Sequence, residues 1–120
     1  MIQSYKDLEV YKRAFDLAMQ IFESTRTFPK EEVYSLTSQI VRSSRSVAAN
    51  ISEGWAKREY EQVFKQHLIH ALGSVSETQT WIDFSLKCSY INTDTHAKWS
   101  GQLDIIGKMI TNLHKKWKSK

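Results

Sequence analysis

Apolar side chains recur every three to four residues along nearly the whole chain and nowhere alternate for long. That period is the mark of α-helices with one face turned inward. Four stretches carry it. The first, from about Lys6 to Arg26, has two apolar stripes: Leu8, Tyr11, Phe15, Met19 and Phe22 form one, and Val10, Ala14, Leu17 and Ile21 the other. At about 100° per residue they lie on nearly opposite sides of the helix. One stripe suffices for a bundle core, so the other implies packing outside the monomer. Val10, Leu17 and Ile21 of the aliphatic stripe are the expected oligomer contacts.

Thr27-Phe28-Pro29 breaks the pattern, because proline disfavours a helical residue before it and suits a helix start after it. Lys30, Glu31 and Glu32 then open a second helix, with acids near its positive end. Its core stripe is Val33, Leu36, Ile40, Ser44, Val47 and Ile51, and Gly54 is placed to end it in a left-handed cap. A third helix is expected from Tyr60 to about Lys87, with Phe64, Leu68, Ala71, Val75, Thr78, Ile82 and Leu86 inward. Asn92 or Thr93 can cap a fourth. Its Trp99, Leu103, Ile106, Ile110, Leu113 and Trp117 follow a heptad seam. Four helices joined by short loops predict an all-α, antiparallel up-down four-helix bundle, with residues 1–120 as a single domain.

Composition adds limits. The 41% hydrophobic and 25% charged content suits an ordinary soluble globular protein. Cys88 is the sole cysteine, which excludes an internal disulfide and a multi-cysteine zinc site, and fits a reducing cytoplasm. No signal-peptide run opens the chain, and no apolar stretch is long enough for a membrane span, so a cytoplasmic location away from membranes is expected. The net charge of +4 is unevenly spread, since residues 91–120 hold six basic and two acidic side chains. The excess lies in the HKKWKSK tail and suits an anionic partner such as nucleic acid, although a lysine tail also serves solubility. The basic candidates are Arg42, Arg45, Lys57, Arg58, Lys115, Lys116, Lys118 and Lys120. Trp117 among the lysines can stack on an unpaired base, but its heptad spacing favours closing the seam of the fourth helix.

Catalytic and metal signals are weak. His67 and His70 share a helix face with Glu77, but not at the spacing of a zinc protease or a di-iron bundle. Cys88 lacks a histidine positioned by sequence to activate it. The chain has neither a phosphate-cradling glycine loop nor a nucleophile elbow. These readings predict no catalytic residue, no metal and no cofactor.

The second helix is the most distinctive segment. With Ile40 at the centre of the core face, Arg42, Ser46, Ala49 and Glu53 fall at about 180–240°, opposite the core. Ser and Ala dominate from Ser43 to Ser52, and small side chains admit a close neighbour. Ser46, Ala49 and Glu53 are therefore expected at an oligomer interface, with Arg42 and Arg45 as anion contacts. Asn50 and Glu53 are expected to bond backbone groups near the helix end or to meet Arg42. Gly73, mid-helix, is either a close-approach point or a tolerated surface glycine.

Several motifs resemble the bacterial four-helix-bundle family encoded in intervening sequences of large-subunit ribosomal RNA genes. They are Leu8-Glu9-Val10-Tyr11, Phe28-Pro29, Gln39-Ile40-Val41-Arg42, Ala49-Asn50-Ile51-Ser52-Glu53-Gly54, and Gly73-Ser74 with Glu77. The resemblance spans nearly the whole chain and extends to the Avd accessory proteins of diversity-generating retroelements. Val41 stands where the family usually has a second Arg, and Ala48 where it often has Pro. The resemblance implies a non-enzymatic homopentamer that binds RNA or DNA, RNA being favoured. A second reading is a scaffold docking a protein partner such as a reverse transcriptase, and a third is a metal-dependent bundle enzyme.

Overall fold

The structure is a computed structural model, described for residues 2–120; Met1 lies outside the described residues. A single 3-10 turn at Tyr5–Asp7 leads into α1 (Glu9–Thr25). A second such turn, Lys30–Glu32, precedes α2 (Leu36–Ala56), followed by α3 (Glu61–Lys87) and α4 (Thr93–Lys116). Each helix packs on its neighbour in sequence, and α1 closes the ring against α4. This is the expected antiparallel up-down bundle, 49 × 25 × 21 Å.

Local chemistry sets the element ends. The Asp7 carboxylate accepts the backbone N–H groups of Gln3 (2.8 Å) and Ser4 (3.2 Å), which holds it below the usual carboxylate range. Asn92 Oδ1 accepts the Thr95 N–H (2.8 Å) and starts α4. α3 ends in a Schellman motif, in which the Ser89 N–H reaches the Leu86 carbonyl and the Tyr90 N–H reaches that of Ser85. Its left-handed residue is Ser89, with φ 63°.

That finding corrects the reading of Gly54. No glycine among the described residues has a positive φ, and Gly54 lies inside α2, which runs on to Ala56. A Cβ at Gly54 would stand 2.8 Å from the Cβ of His67 and 3.1 Å from Cδ1 of Phe64. The glycine is there because α3 passes too close for any side chain. The same seam continues up the two helices. Thr78 Oγ1 lies 2.9 Å from Ser43 Oγ and 2.7 Å from the Ser74 carbonyl oxygen. Ser74 donates to Ser46 Oγ (2.9 Å), as does the Asn50 side-chain amide (3.1 Å). Small side chains allow the approach, and their hydroxyls satisfy one another inside it. Ser46 is thus an α2–α3 contact within the chain, and it stays half-buried.

The two stripes of α1 exchange roles. Val10, Leu17 and Ile21 are 4%, 2% and 0% exposed and belong to the core, correcting their expected place at an oligomer interface. Phe15 and Met19 instead face outward at 52% and 42% exposure. A helix packed against the small side chains of α2 sits close to it, and the gap takes aliphatic residues, leaving the aromatic ones outside. Val33 is also exposed, because Lys30–Glu32 forms a separate turn and α2 starts at Leu36.

Aromatic clusters close both ends of the bundle. At one, Phe28 stacks on Tyr90 (5.3 Å), whose hydroxyl donates to Glu32 Oε2 (2.8 Å). The Glu32 carboxyl is lowered by hydrogen bonds from Ser35 and then Tyr90, while the bond to Glu32 pushes the Tyr90 phenol from its ordinary 10.0 up to about 12. At the other end Trp55, Phe64 and Trp117 pack edge to face, 4.8–6.2 Å apart.

Gly54→Ala is expected to destabilise the protein by about 1–3 kcal/mol through overpacking, outweighing the ~1 kcal/mol of helix propensity that alanine adds. Thermal unfolding checks this, and an unchanged or raised Tm would show that α3 is free to move aside.

Candidate nucleic-acid interface

The up-down topology brings the C-terminal ends of α2 and α4 to the same end of the bundle as the N-terminal ends of α1 and α3. Six of the eight candidate basic residues gather there: Lys57 and Arg58 just beyond α2, Lys115 and Lys116 in the last turn of α4, and Lys118 and Lys120 in the tail. Lys6, in the turn preceding α1, lies at this end too. Arg42 and Arg45 do not join the group. They sit on α2 roughly 20 Å back along its axis. The Arg45 guanidinium lies 5.1 Å over the Phe22 ring, and that of Arg26 lies 5.2 Å over the same ring.

The tail is folded back, not free. Ser119 Oγ donates to the Arg58 carbonyl (2.6 Å), and the Ser119 N–H donates to Glu61 Oε1 (2.9 Å). The Trp117 indole N–H reaches Ser119 Oγ (3.1 Å) and the Arg58 carbonyl (3.4 Å), while its ring packs on Trp55 and Phe64. Trp117 therefore closes the seam, as its spacing favoured, with its half-buried ring packed against the core. The bond from Ser119 holds the Glu61 carboxyl below its usual range, helped by the nearby Lys65 and Lys118 charges.

Two of the basic side chains are held in place by neighbours. The Arg58 guanidinium lies 4.5 Å over the Trp55 ring and donates to the Trp55 carbonyl (2.9 Å). Lys57 Nζ lies 3.3 Å from His67 Nε2, and His67 Nδ1 lies 3.3 Å from Asn50 Oδ1. An ammonium only donates, so in this contact Nε2 is the acceptor. Asn50 donates in turn to the Ser46 carbonyl (3.0 Å), a backbone bond of the expected kind.

Between tail and α2–α3 turn lies an open cleft of about 550 Å³, lined by Arg58, Glu59, Tyr60, Trp117, Lys118, Ser119 and Lys120. Tyr60 is 68% exposed. Neither Tyr60 nor Lys6 stood out in the sequence. Only the fold places an isolated tyrosine beside a tail nearly sixty residues further on.

The remaining candidates lie elsewhere. Ala49 lines a shallow groove with Tyr11, Phe15, Met19 and Arg45 between α1 and α2. Glu53 is exposed and forms no ion pair with Arg42 among the described residues. An added Cβ at Gly73 would meet open space. The Glu77 carboxylate accepts from the Trp81 indole (3.0 Å), and the rings of His67 and His70 stand edge to face at 6.2 Å. Among the described residues no three His, Cys, Asp or Glu side chains are grouped to hold a metal. Among the described residues no helix is long and apolar enough to cross a membrane.

The fold and this basic end define a four-helix-bundle protein with its positive charge concentrated at one pole. The model of the family described as 23S rRNA-intervening sequence protein matches residues 6–112, and the chain belongs to that family. Its structure is similar to the crystal structure of a protein of unknown function from the S23 ribosomal protein family of Bacteroides thetaiotaomicron VPI-5482. The TM-score is 0.80 at 22% identity, covering 89% of this chain and 96% of that one. Comparison with curated proteins gives no match.

Because Glu61 has a lowered pKa in the folded state, its hold on the tail is fully present above its ordinary 4.5 and is lost as pH falls through the lowered value. The Trp117 indole N–H resonance, followed by NMR during acid titration, is expected to report tail release below about pH 4.5. In Glu61→Gln this step should vanish; an identical step in the variant would place the titrating group elsewhere.

Proposed function

We propose that this protein is a non-enzymatic, self-assembling RNA-binding protein that contacts the phosphate backbone through the basic pole of its bundle. The observation that carries this reading is the convergence of Lys57, Arg58, Lys115, Lys116, Lys118 and Lys120 on one end, from segments distant in sequence. Phosphate contacts are additive and sequence-independent, so a cluster of cations on one surface gives affinity where scattered ones do not. The family's description refers to intervening sequences of 23S rRNA, which favours RNA over DNA as ligand. Assembly, with a pentamer as the proposed form, would multiply the basic poles and let weak contacts act together.

The outward stripe supports self-assembly. Phe15 and Met19, beside Tyr11 and Ala49, leave an apolar groove uncovered between α1 and α2. The same groove favours the second reading, a scaffold that docks a protein partner such as a reverse transcriptase. Arg42, Arg45 and Glu53 flank this face of α2, and in this proposal they serve assembly before anion binding.

Two measurements test the proposal. Affinity for RNA over a salt series should fall linearly on a log–log plot. Changing Lys115, Lys116, Lys118 and Lys120 together to Gln should make the slope shallower by about 0.7–0.9 for each phosphate that the variant no longer neutralises. An affinity indifferent to salt, or no complex at low salt, would refute the RNA reading. Mass in solution should exceed one chain, and Phe15→Glu should lower it. A wild-type monomer would leave the groove to a different protein.

A further inference from the structure

We infer that the cleft at the basic pole holds one unpaired nucleotide, with Tyr60 as the surface on which its base stacks. The inference rests on the RNA-binding reading and narrows it to single-stranded RNA. Three observations converge on it.

First, the cleft carries three cations, Arg58, Lys118 and Lys120, against one acid, Glu59, and its volume of about 550 Å³ is of the size that small ligands occupy. Second, one cation is positioned before any ligand arrives, and the backbone that carries another is docked. Arg58 is held on the Trp55 ring and the Trp55 carbonyl, and Lys118 lies between Trp117, packed against the core, and Ser119, bonded to Arg58 and Glu61. Third, the cleft contains one aromatic ring that nothing in the chain uses. Trp117, also on its wall and half-buried, packs edge to face on Trp55 and Phe64 and spends its indole N–H on Ser119 and Arg58. Tyr60 packs against no other aromatic ring and bonds no side chain among the described residues, and it is 68% exposed.

A tyrosine left in water beside a group of cations matches the two halves of an unpaired nucleotide: a flat base and a charged phosphate. In a duplex the bases are stacked on each other and the ring face has no partner. Tyr60 therefore adds affinity only where a base is free, at a loop, bulge or end. The tyrosine hydroxyl has no part in this; the ring does.

The test compares three RNA-type probes of equal length by fluorescence anisotropy: single-stranded oligouridylate, the same backbone without bases, and a blunt duplex. Wild type should bind oligouridylate about tenfold more tightly than the abasic strand. Tyr60→Ala should abolish that difference and leave abasic and duplex binding unchanged, while Tyr60→Phe should restore it. Because Tyr60 is largely exposed, the variants should unfold at the wild-type temperature, which thermal melting checks. Equal binding of oligouridylate and abasic strand, or a Tyr60→Ala variant that keeps the preference, overturns the stacking inference while the basic pole stands. Failure to bind any of the three at low salt overturns the RNA reading itself.

Discussion

The close approach of α2 and α3 governs the rest of the bundle. Gly54 admits His67 and Phe64 at a distance no side chain would allow, and the serines and threonine above it keep the two helices together along their length. On the far side of α2, α1 turns Val10, Ala14, Leu17 and Ile21 towards α2 and α4 and leaves Phe15 outside. At the ends of the bundle, where the helices no longer confine the space, aromatic residues fill it instead: Phe28 with Tyr90 at one, Trp55 with Phe64 and Trp117 at the other.

This ordering explains which elements could be read from sequence. α4 was legible because its seam is a repeated spacing of apolar residues, and period alone assigns the face. α3 was equally plain, apart from its end, where Ser89 takes a backbone conformation more often given to glycine. α1 was legible as a helix but not in orientation. It has two apolar faces, and hydropathy alone cannot say which of them the neighbouring helices cover. Gly54 misled for a related reason. A glycine near a helix end signals a turn or a close neighbour, and the neighbour, His67, lies in another helix.

The site divides in the same way. The basic tail was visible as composition, and Trp117 as the last position of a seam. The pole they build with Lys57 and Arg58 was not, because it depends on the up-down order of the helices and on Ser119 reaching back to Arg58 and Glu61. Arg42 and Arg45 carried the same charge in sequence but stand apart on the side of the bundle, Arg45 against Phe22. Membership of the 23S rRNA-intervening sequence protein family fits the fold without naming a surface.

The docking of the tail also makes the site a conformational equilibrium. Residues beyond Lys116 lie outside the helix and are held by a few hydrogen bonds and one indole, so they belong to the part of the molecule that opens most easily. A ligand that needs the tail docked binds with an affinity scaled by the docked fraction. Under that proposal, side chains buried beneath the tail, Trp55 and Phe64 among them, would gain a share in the affinity for a ligand they never touch. The bound ligand, in return, would hold the end of the bundle closed.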